Sequence, residues 1–211
     1  MTINECPICG CDEWVRSVEK HRIKYLICSA CDALYAENWN DEVVETANDA
    51  PEPRSYDSLQ SVRLQRLAEH LGRRPRRVLD FGCGHGEYVR FLEARGIDAV
   101  GIDRDTPVQI KDIPDGSFDA VNMVEIIEHL MNPGEVVGKL FRSLKSGGII
   151  YVESSFMDHI GDPALSGYVD PRIGHCCVHS RRSMDFLRWR LRAELKWIND
   201  NVAVFRKAER V

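Results

Sequence analysis

The chain has 211 residues, 44% of them hydrophobic and 29% charged, with a formal net charge of −5. That length holds one sizeable domain, or one domain and a small satellite, and the composition is that of a folded globular protein. Net negative charge argues against a surface built for non-specific nucleic-acid binding, and no apolar run approaches the roughly 18–20 residues that span a bilayer. The opening Met-Thr-Ile-Asn-Glu has neither a basic stretch nor an apolar one, so a cytoplasmic location is expected.

Cys6-Pro-Ile-Cys9 and Cys28-Ser-Ala-Cys31 are two C-x-x-C hooks separated by 18 residues. That is zinc-ribbon spacing, in which each hook supplies two thiolates to a tetrahedral Zn²⁺. Residues 13–18 and 22–27 are β-prone and predict a hairpin between the hooks. A unit of residues 1–38 cannot stabilise itself by burial, so a metal is the expected substitute. Four thiolates (Cys6, Cys9, Cys28 and Cys31) close the coordination sphere, which makes the expected zinc structural. Cys11 has poorer spacing and is left out of the set.

Residues 39–55 are polar, acidic and interrupted by Pro51 and Pro53, as in a linker. Leu59, Val62, Leu64, Leu67, Ala68 and Leu71 then recur at near-helical spacing before Gly72, predicting a helix over 56–71. A short apolar run reaches Asp80, and Gly82, Gly84 and Gly86 follow at alternate positions. A strand over 77–81 that ends in such a loop, with a helix over 86–95 behind it, lets backbone N–H groups approach a ligand. The spacing is tighter than the G-x-G-x-x-G of dinucleotide enzymes.

A second strand, 98–102, ends at Asp103. Further strands are expected near 107–110, 118–124, 148–154, 193–199 and 202–207, with helices near 133–144 and 180–190. Alternating strands and helices predict a parallel sheet covered on both faces. Asn199-Asp200-Asn201 reads as a tight turn that makes the last two strands antiparallel. Between Asp103 and Asp115 there is too little chain for a full crossover helix and a strand, so that helix is expected to be missing or reduced to a turn. The basic clusters at Arg73, Arg74, Arg76 and Arg77, and from Arg181 to Arg192, are read as solvated edges of core elements rather than a nucleic-acid groove.

Asp80-x-Gly-x-Gly-x-Gly86 is followed in order by Asp115-Gly-Ser-Phe-Asp119, Glu128-His129-Leu130 and Leu144-Lys-Ser-Gly-Gly148. Over residues 56–211 this series resembles class I S-adenosylmethionine (SAM)-dependent methyltransferases. The resemblance implies an α/β, Rossmann-like, seven-stranded sheet whose last strand is antiparallel, beside the small amino-terminal zinc ribbon. Several bacterial sugar and secondary-metabolite methyltransferases carry a comparable cysteine knuckle.

For the cofactor SAM, the backbone at Gly82, Gly84 and Gly86 should pass beside its amino-acid and ribose portions. Asp103 should accept hydrogen bonds from the ribose hydroxyls. Asp80 should order the loop or reach the ligand's ammonium. The resemblance makes Asp112 the candidate for the adenine contact. Met123 and Val124 either flank the adenine or sulfonium, or pack in the core.

The Glu125-x-x-Glu128-His129 pattern resembles that of ubiquinone-pathway O-methyltransferases and of small-RNA 2′-O-methyltransferases, where it supplies ligands to a divalent metal. The RNA enzymes add a histidine five residues before a Ser/Thr-Arg pair, and His175 stands five before Ser180-Arg181. The implied set is Glu125, Glu128, His129 and His175, donors suited to Mg²⁺, Mn²⁺ or Fe²⁺. The alternative is His129 as a general base without metal. Catalytic candidates are therefore His129, Glu128 and His175.

Cys176 and Cys177 read as buried thiols, and residues 156–174 as part of an acceptor pocket. The leading function is methyl transfer to a small hydroxylated acceptor, such as a sugar derivative or secondary metabolite, with oxygen favoured over carbon. An RNA methyltransferase using the ribbon to hold RNA, and a non-catalytic SAM-fold binding protein, stay open as alternatives.

Overall fold

The computed structural model describes residues 3–44, 57–104 and 106–209. Most of the expected linker, from residue 45 on, lies outside the described residues. At the amino terminus β1 (Trp14–Lys20) and β2 (Ile23–Cys28) form the expected hairpin, turned by His21 and Arg22, both at positive φ. A third strand, β3 (Leu34–Ala36), pairs with β2.

The body begins with α1 (Asp57–Leu71), then β4 (Arg77–Phe81), α2 (Glu87–Glu93) and β5 (Asp98–Ile102). It continues through β6 (Phe118–Val124), α3 (Pro133–Ser143) and β7 (Leu144–Glu153). After a long loop come β8 (Cys177–Val178), α4 (Arg181–Leu191), β9 (Glu194–Asn199) and β10 (Val202–Arg206). The large sheet has the order β5-β4-β6-β7-β10-β9. β4, β5, β6 and β7 are parallel, and β10 runs antiparallel to both β7 and β9, so the last strand is the reversed one, as expected.

Alternation along the strands sorts the core onto two faces. Leu79, Val121, Ile150, Val152, Ala203 and Phe205 pack with Val137 and Leu140 of α3 and Leu187 of α4. Val78, Ala120, Ile149, Tyr151 and Val204 pack with Leu67 of α1 and Tyr88, Phe91 and Leu92 of α2. β6 is central and buried almost throughout, as a parallel strand covered on both faces must be.

The expected strand at 107–110 does not form. Its polar groups are spent locally. Thr106 Oγ accepts from the Asp103 N–H, Gln109 Nε2 donates to the Thr106 carbonyl, and a single 3-10 turn (Ile110–Asp112) follows. β5 is therefore the edge of a six-stranded sheet, and the seventh strand and its crossover helix are reduced to this turn.

β8 belongs to the small sheet, which has the order β1-β2-β3-β8. The first hook, the second hook and Tyr35 share one continuous core with α3, α4 and Cys176 and Cys177. The basic clusters carry counter-charges. Arg73 and Lys145 meet buried Asp119, Arg181 meets Asp200, Arg182 meets Asp32, and Arg188 meets Asp185. Among the described residues no helix is long and apolar enough to cross a membrane.

Candidate active site

Open parallel sheets bind ligands at the carboxyl ends of their strands, and there two clefts meet at Gly82. The smaller, about 290 Å³, is lined by Arg63, Asp80, Gly82, Tyr88, Asn122 and Val124 among others. The larger, about 520 Å³, lies between Ile102, Asp103, Arg104, Gln109 and Ile110 on one side and Ile126, His129, Leu130 and Gly174 on the other.

Gly82 needs to be glycine twice over. Its φ is 84°, and an added Cβ would lie 2.0 Å from Ile126 Cδ1. Gly84, at φ 50°, faces open space and donates its N–H to Asp103 Oδ2 at 2.7 Å. The Arg104 N–H donates to Asp103 Oδ1, so this carboxylate clamps the glycine loop to the end of β5 and retains further lone pairs. Gly86, also at positive φ, is the N-cap residue of α2.

Asp80 is buried, and its Oδ1 accepts from Asn122 Nδ2 at 2.6 Å. Burial pushes its pKa up to about 6, against the Asn122 hydrogen bond and the charge of Arg63, with the charge of Asp103 adding. Asn122 Oδ1 is buried with no partner among the described residues. Two buried acceptors thus face a cleft whose lining cation, Arg63, is paired with Glu153.

The second cluster lies just past β6. Glu125 sits in the left-handed region, φ 50°, a conformation that costs a non-glycine residue roughly 1–2 kcal/mol. Glu128 is fully buried. Its Oε2 accepts from Ser154 Oγ at 2.9 Å, while Oε1 has no hydrogen-bond partner among the described residues and lies 3.9 Å from His175 Nε2. His129 and His175 each place Nδ1 on a backbone carbonyl, that of Gly174 at 2.9 Å and that of Tyr168 at 2.7 Å. A carbonyl only accepts, so each Nδ1 carries the proton and each Nε2 keeps its lone pair.

The ring centroids of the two histidines are 4.8 Å apart. One donor atom each from Glu128, His129 and His175 falls within 4.8 Å of the others. Burial, then the charge of His175, lowers the His129 pKa to about 4, and burial lowers that of His175, so both are neutral at physiological pH. Glu125 stands outside that tight set but beside it. Burial and then the Glu128 charge raise its pKa to about 7, and the Tyr168 hydroxyl donates to its Oε2 at 3.1 Å.

Two expected cofactor contacts are not brought to the clefts. Asp112 turns its carboxylate back to accept from the Gln109 N–H, capping its own turn, and Gln109 and Ile110 line the cleft instead. Met123 is buried in the sheet core, and its neighbour Val124 reaches the smaller cleft. His159 pairs with Asp200 at 3.3 Å, away from the cluster. Cys176 and Cys177 are buried, as expected of packing thiols. Tyr168, Ser154 and Asn122 were not marked by any motif. Only the position of Tyr168 in the loop after β7, within residues 156–174, points toward a pocket.

In the amino-terminal sheet, Cys6, Cys9, Cys28 and Cys31 place their sulfurs within 4.8 Å of one another, with Cys6–Cys31 and Cys9–Cys28 at 3.5 Å. A tetrahedral ion with bonds near 2.3 Å requires sulfurs just under about 4 Å apart. The hydrogen bond shared with Cys6, and then burial, push the Cys31 thiol well above its ordinary range, so four thiolates can coexist only around a cation. Cys11 lies aside, against Ser29 Oγ at 3.4 Å.

Comparison with known proteins shows the family and the fold. The methyltransferase-domain family profile matches residues 31–193. The ubiquinone biosynthesis O-methyltransferase of Methylococcus capsulatus is 27% identical over 123 residues, covering 47% of this chain and 52% of the relative. That of Psychrobacter cryohalolentis is 30% identical over 137 residues, covering 53% and 49%. The chain therefore spans about half the length of these curated relatives. A Burkholderia thailandensis 1,6-didemethyltoxoflavin N1-methyltransferase, solved with its substrate and S-adenosylhomocysteine, shares the fold at a TM-score of 0.60 and 12% identity, over 92% of this chain and all of that one.

Proposed function

Because the chain belongs to the methyltransferase-domain family, we propose that it transfers a methyl group from SAM to a hydroxyl of a small acceptor, at a site that also holds a divalent cation. The observation that carries the cation is the orphaned, fully buried Glu128 Oε1 facing the free Nε2 of His175. A buried carboxylate oxygen without a partner is costly unless a cation or donor completes it. Glu128, His129 and His175 would hold the ion, with Glu125 beside them. When bound, a divalent cation polarises an acceptor hydroxyl and lowers its pKa.

The rest is positioning. Methyl transfer is an in-line displacement, so aligning donor and acceptor supplies much of the rate. Asp80 and Asn122 Oδ1 suit the ammonium of the SAM amino-acid end, and Asp103 suits the ribose diol. Gly82, Gly84 and Gly86 keep side chains out of the path between them. The acceptor then enters past Tyr168 and residues 156–174. The relatives named for ubiquinone biosynthesis support a hydroxylated acceptor and O-methylation, and a sugar derivative or secondary metabolite is the class proposed. The four cysteines would hold a structural zinc, with residues 1–38 as its module and the body following.

The test uses methyl-labelled SAM with a panel of phenols, catechols and hydroxylated sugars. Label should reach an acceptor, stop with a chelator and return with Mg²⁺, Mn²⁺ or Fe²⁺, while SAM affinity stays constant. His175→Ala should lower turnover roughly 10²–10⁴-fold. Turnover indifferent to chelator and to His175→Ala would remove the cation and leave His129 as the base.

A further inference from the structure

Residues 175–180 serve two structures at once. Toward the cleft, His175 presents Nε2 to Glu128 Oε1, and the Cys176 N–H donates to the Glu128 carbonyl at 3.0 Å. Toward the amino terminus, the same segment is the outer strand of the cysteine-held sheet. Tyr35 pairs with Cys177 and Leu34 with Val178, and the Ala36 N–H donates to the Cys176 carbonyl at 2.8 Å. Ser180 Oγ donates to the carbonyl of Cys31, a member of the second hook.

Tyr25 makes the most direct link. It lies in β2, three residues before Cys28, with its side chain wholly buried. Its hydroxyl donates to the His175 carbonyl at 2.7 Å. The small sheet also grips the loop that carries the other partner of His175. Lys20 Nζ donates to the carbonyls of Ala164 and Ser166, and Val169 packs with Ile23, Tyr25 and Leu34. Tyr168, inside that loop, accepts the His175 Nδ1–H on its carbonyl.

An imidazole is a useful ligand only when its ring is aimed, and the aim is set by its backbone and by the partner of its other nitrogen. For His175 both are set by segments that the small sheet holds. We propose that the cysteine-held sheet is a positioning element of the Glu128–His129–His175 site, with Tyr25 acting through the backbone of His175. This rests on the reading of that site as a divalent-cation site. The cysteine module is then one wall of the reaction site, and an ion held by thiolates tunes the affinity for a second, exchangeable one.

The experiment measures Mn²⁺ binding to the full-length, zinc-loaded protein by electron paramagnetic resonance, with zinc content and SAM affinity determined on the same samples. Tyr25→Phe keeps the packing and removes the one hydroxyl. Arg182→Gln is the control. It severs an exposed ion pair between α4 and the second hook (Arg182 to Asp32, 3.0 Å) that does not lead to His175. Wild type and Arg182→Gln should bind Mn²⁺ alike. Tyr25→Phe should bind it roughly 10-fold more weakly or worse, the usual effect of losing an outer partner of a ligating histidine, with zinc and SAM binding unchanged. Equal Mn²⁺ affinity in Tyr25→Phe overturns the coupling and leaves the cation site standing. Mn²⁺ binding absent from wild type overturns both. Loss of zinc or SAM binding in Tyr25→Phe also counts against it, because the effect would then not be confined to His175.

Discussion

The four-cysteine cluster and the Glu128–His129–His175 cluster are both groups of metal-seeking atoms within 4.8 Å of one another, and they differ in almost everything else. The cysteines come from two turns within residues 6–31, are chemically identical and leave no position open. The second set joins residues far apart in the chain, mixes a carboxylate with two imidazoles, and stands beside an open cleft with one oxygen unsatisfied and one neighbour, Glu125, in a strained conformation. A closed shell of like ligands holds structure. An open, mixed and partly unsatisfied one suits exchange and chemistry. The two are also joined by β8, so the contrast is one of role rather than of separate modules.

Cys28→Ser should have the largest effect. Zinc should fall from about one per chain to near none, because three thiolates and a hydroxyl hold the ion far more weakly and binding is coupled to folding. Since β3 lends its edge to β8, the variant should also lose Mn²⁺ binding. His175→Ala should lose Mn²⁺ and keep zinc. Metal analysis of the two proteins checks this asymmetry. Wild-type protein free of zinc under reducing conditions, without chelator, would break the comparison at its root.

A smaller effect is expected at the cofactor end, where nothing should depend on either ion. Asp103→Ala removes both the acceptor for the ribose hydroxyls and the clamp on the Gly84 N–H. SAM affinity should fall by about 1.5–3 kcal/mol, the range for hydrogen bonds to a charged group. Calorimetry giving unchanged affinity would place the nucleotide elsewhere.

How far the residues alone foretold these sites follows the same contrast. The cysteine hooks were legible because all four ligands are set by local spacing. The glycine loop and the ends of β4 and β5 were legible because the turn chemistry is local too. Residues 107–110 misled because Val108 and Ile110 are β-prone, yet a strand is made by its neighbour, and here Thr106 and Asp112 take up the backbone groups instead. Met123 could not be assigned to site or core from pattern, since β6 is buried on both faces. β3 and β8, three and two residues long, are too short to show a period. Tyr25 and Tyr168 acquire their roles through the packing of distant segments, and no local signal announces that.

The finest test concerns Asp80, where the cleft's unsatisfied character becomes a proton. In the ligand-free protein its carboxyl titrates near 6, against 3.8 for an ordinary aspartate, chiefly because it is buried. A raised native pKa means that the contribution to stability is present at low pH and fades as pH rises through about 6, when the buried group must ionise. Asp80→Asn should therefore stabilise the ligand-free protein more at pH 8 than at pH 5, by about 1.4 kcal/mol, the equivalent of one pKa unit, since the unfolded carboxyl is already ionised at pH 5 and part of the loss has occurred by then. The ammonium of SAM, placed beside Asp80, favours the carboxylate and pulls its pKa down. Binding at pH 6 should then release about half a proton, falling to none at pH 8. Calorimetric titrations in two buffers of different ionisation enthalpy measure that release directly, and Asp80→Asn should abolish it. Identical heats in both buffers at pH 6 would mean that the ammonium lies elsewhere and that Asp80 serves only to hold Asn122 and the loop.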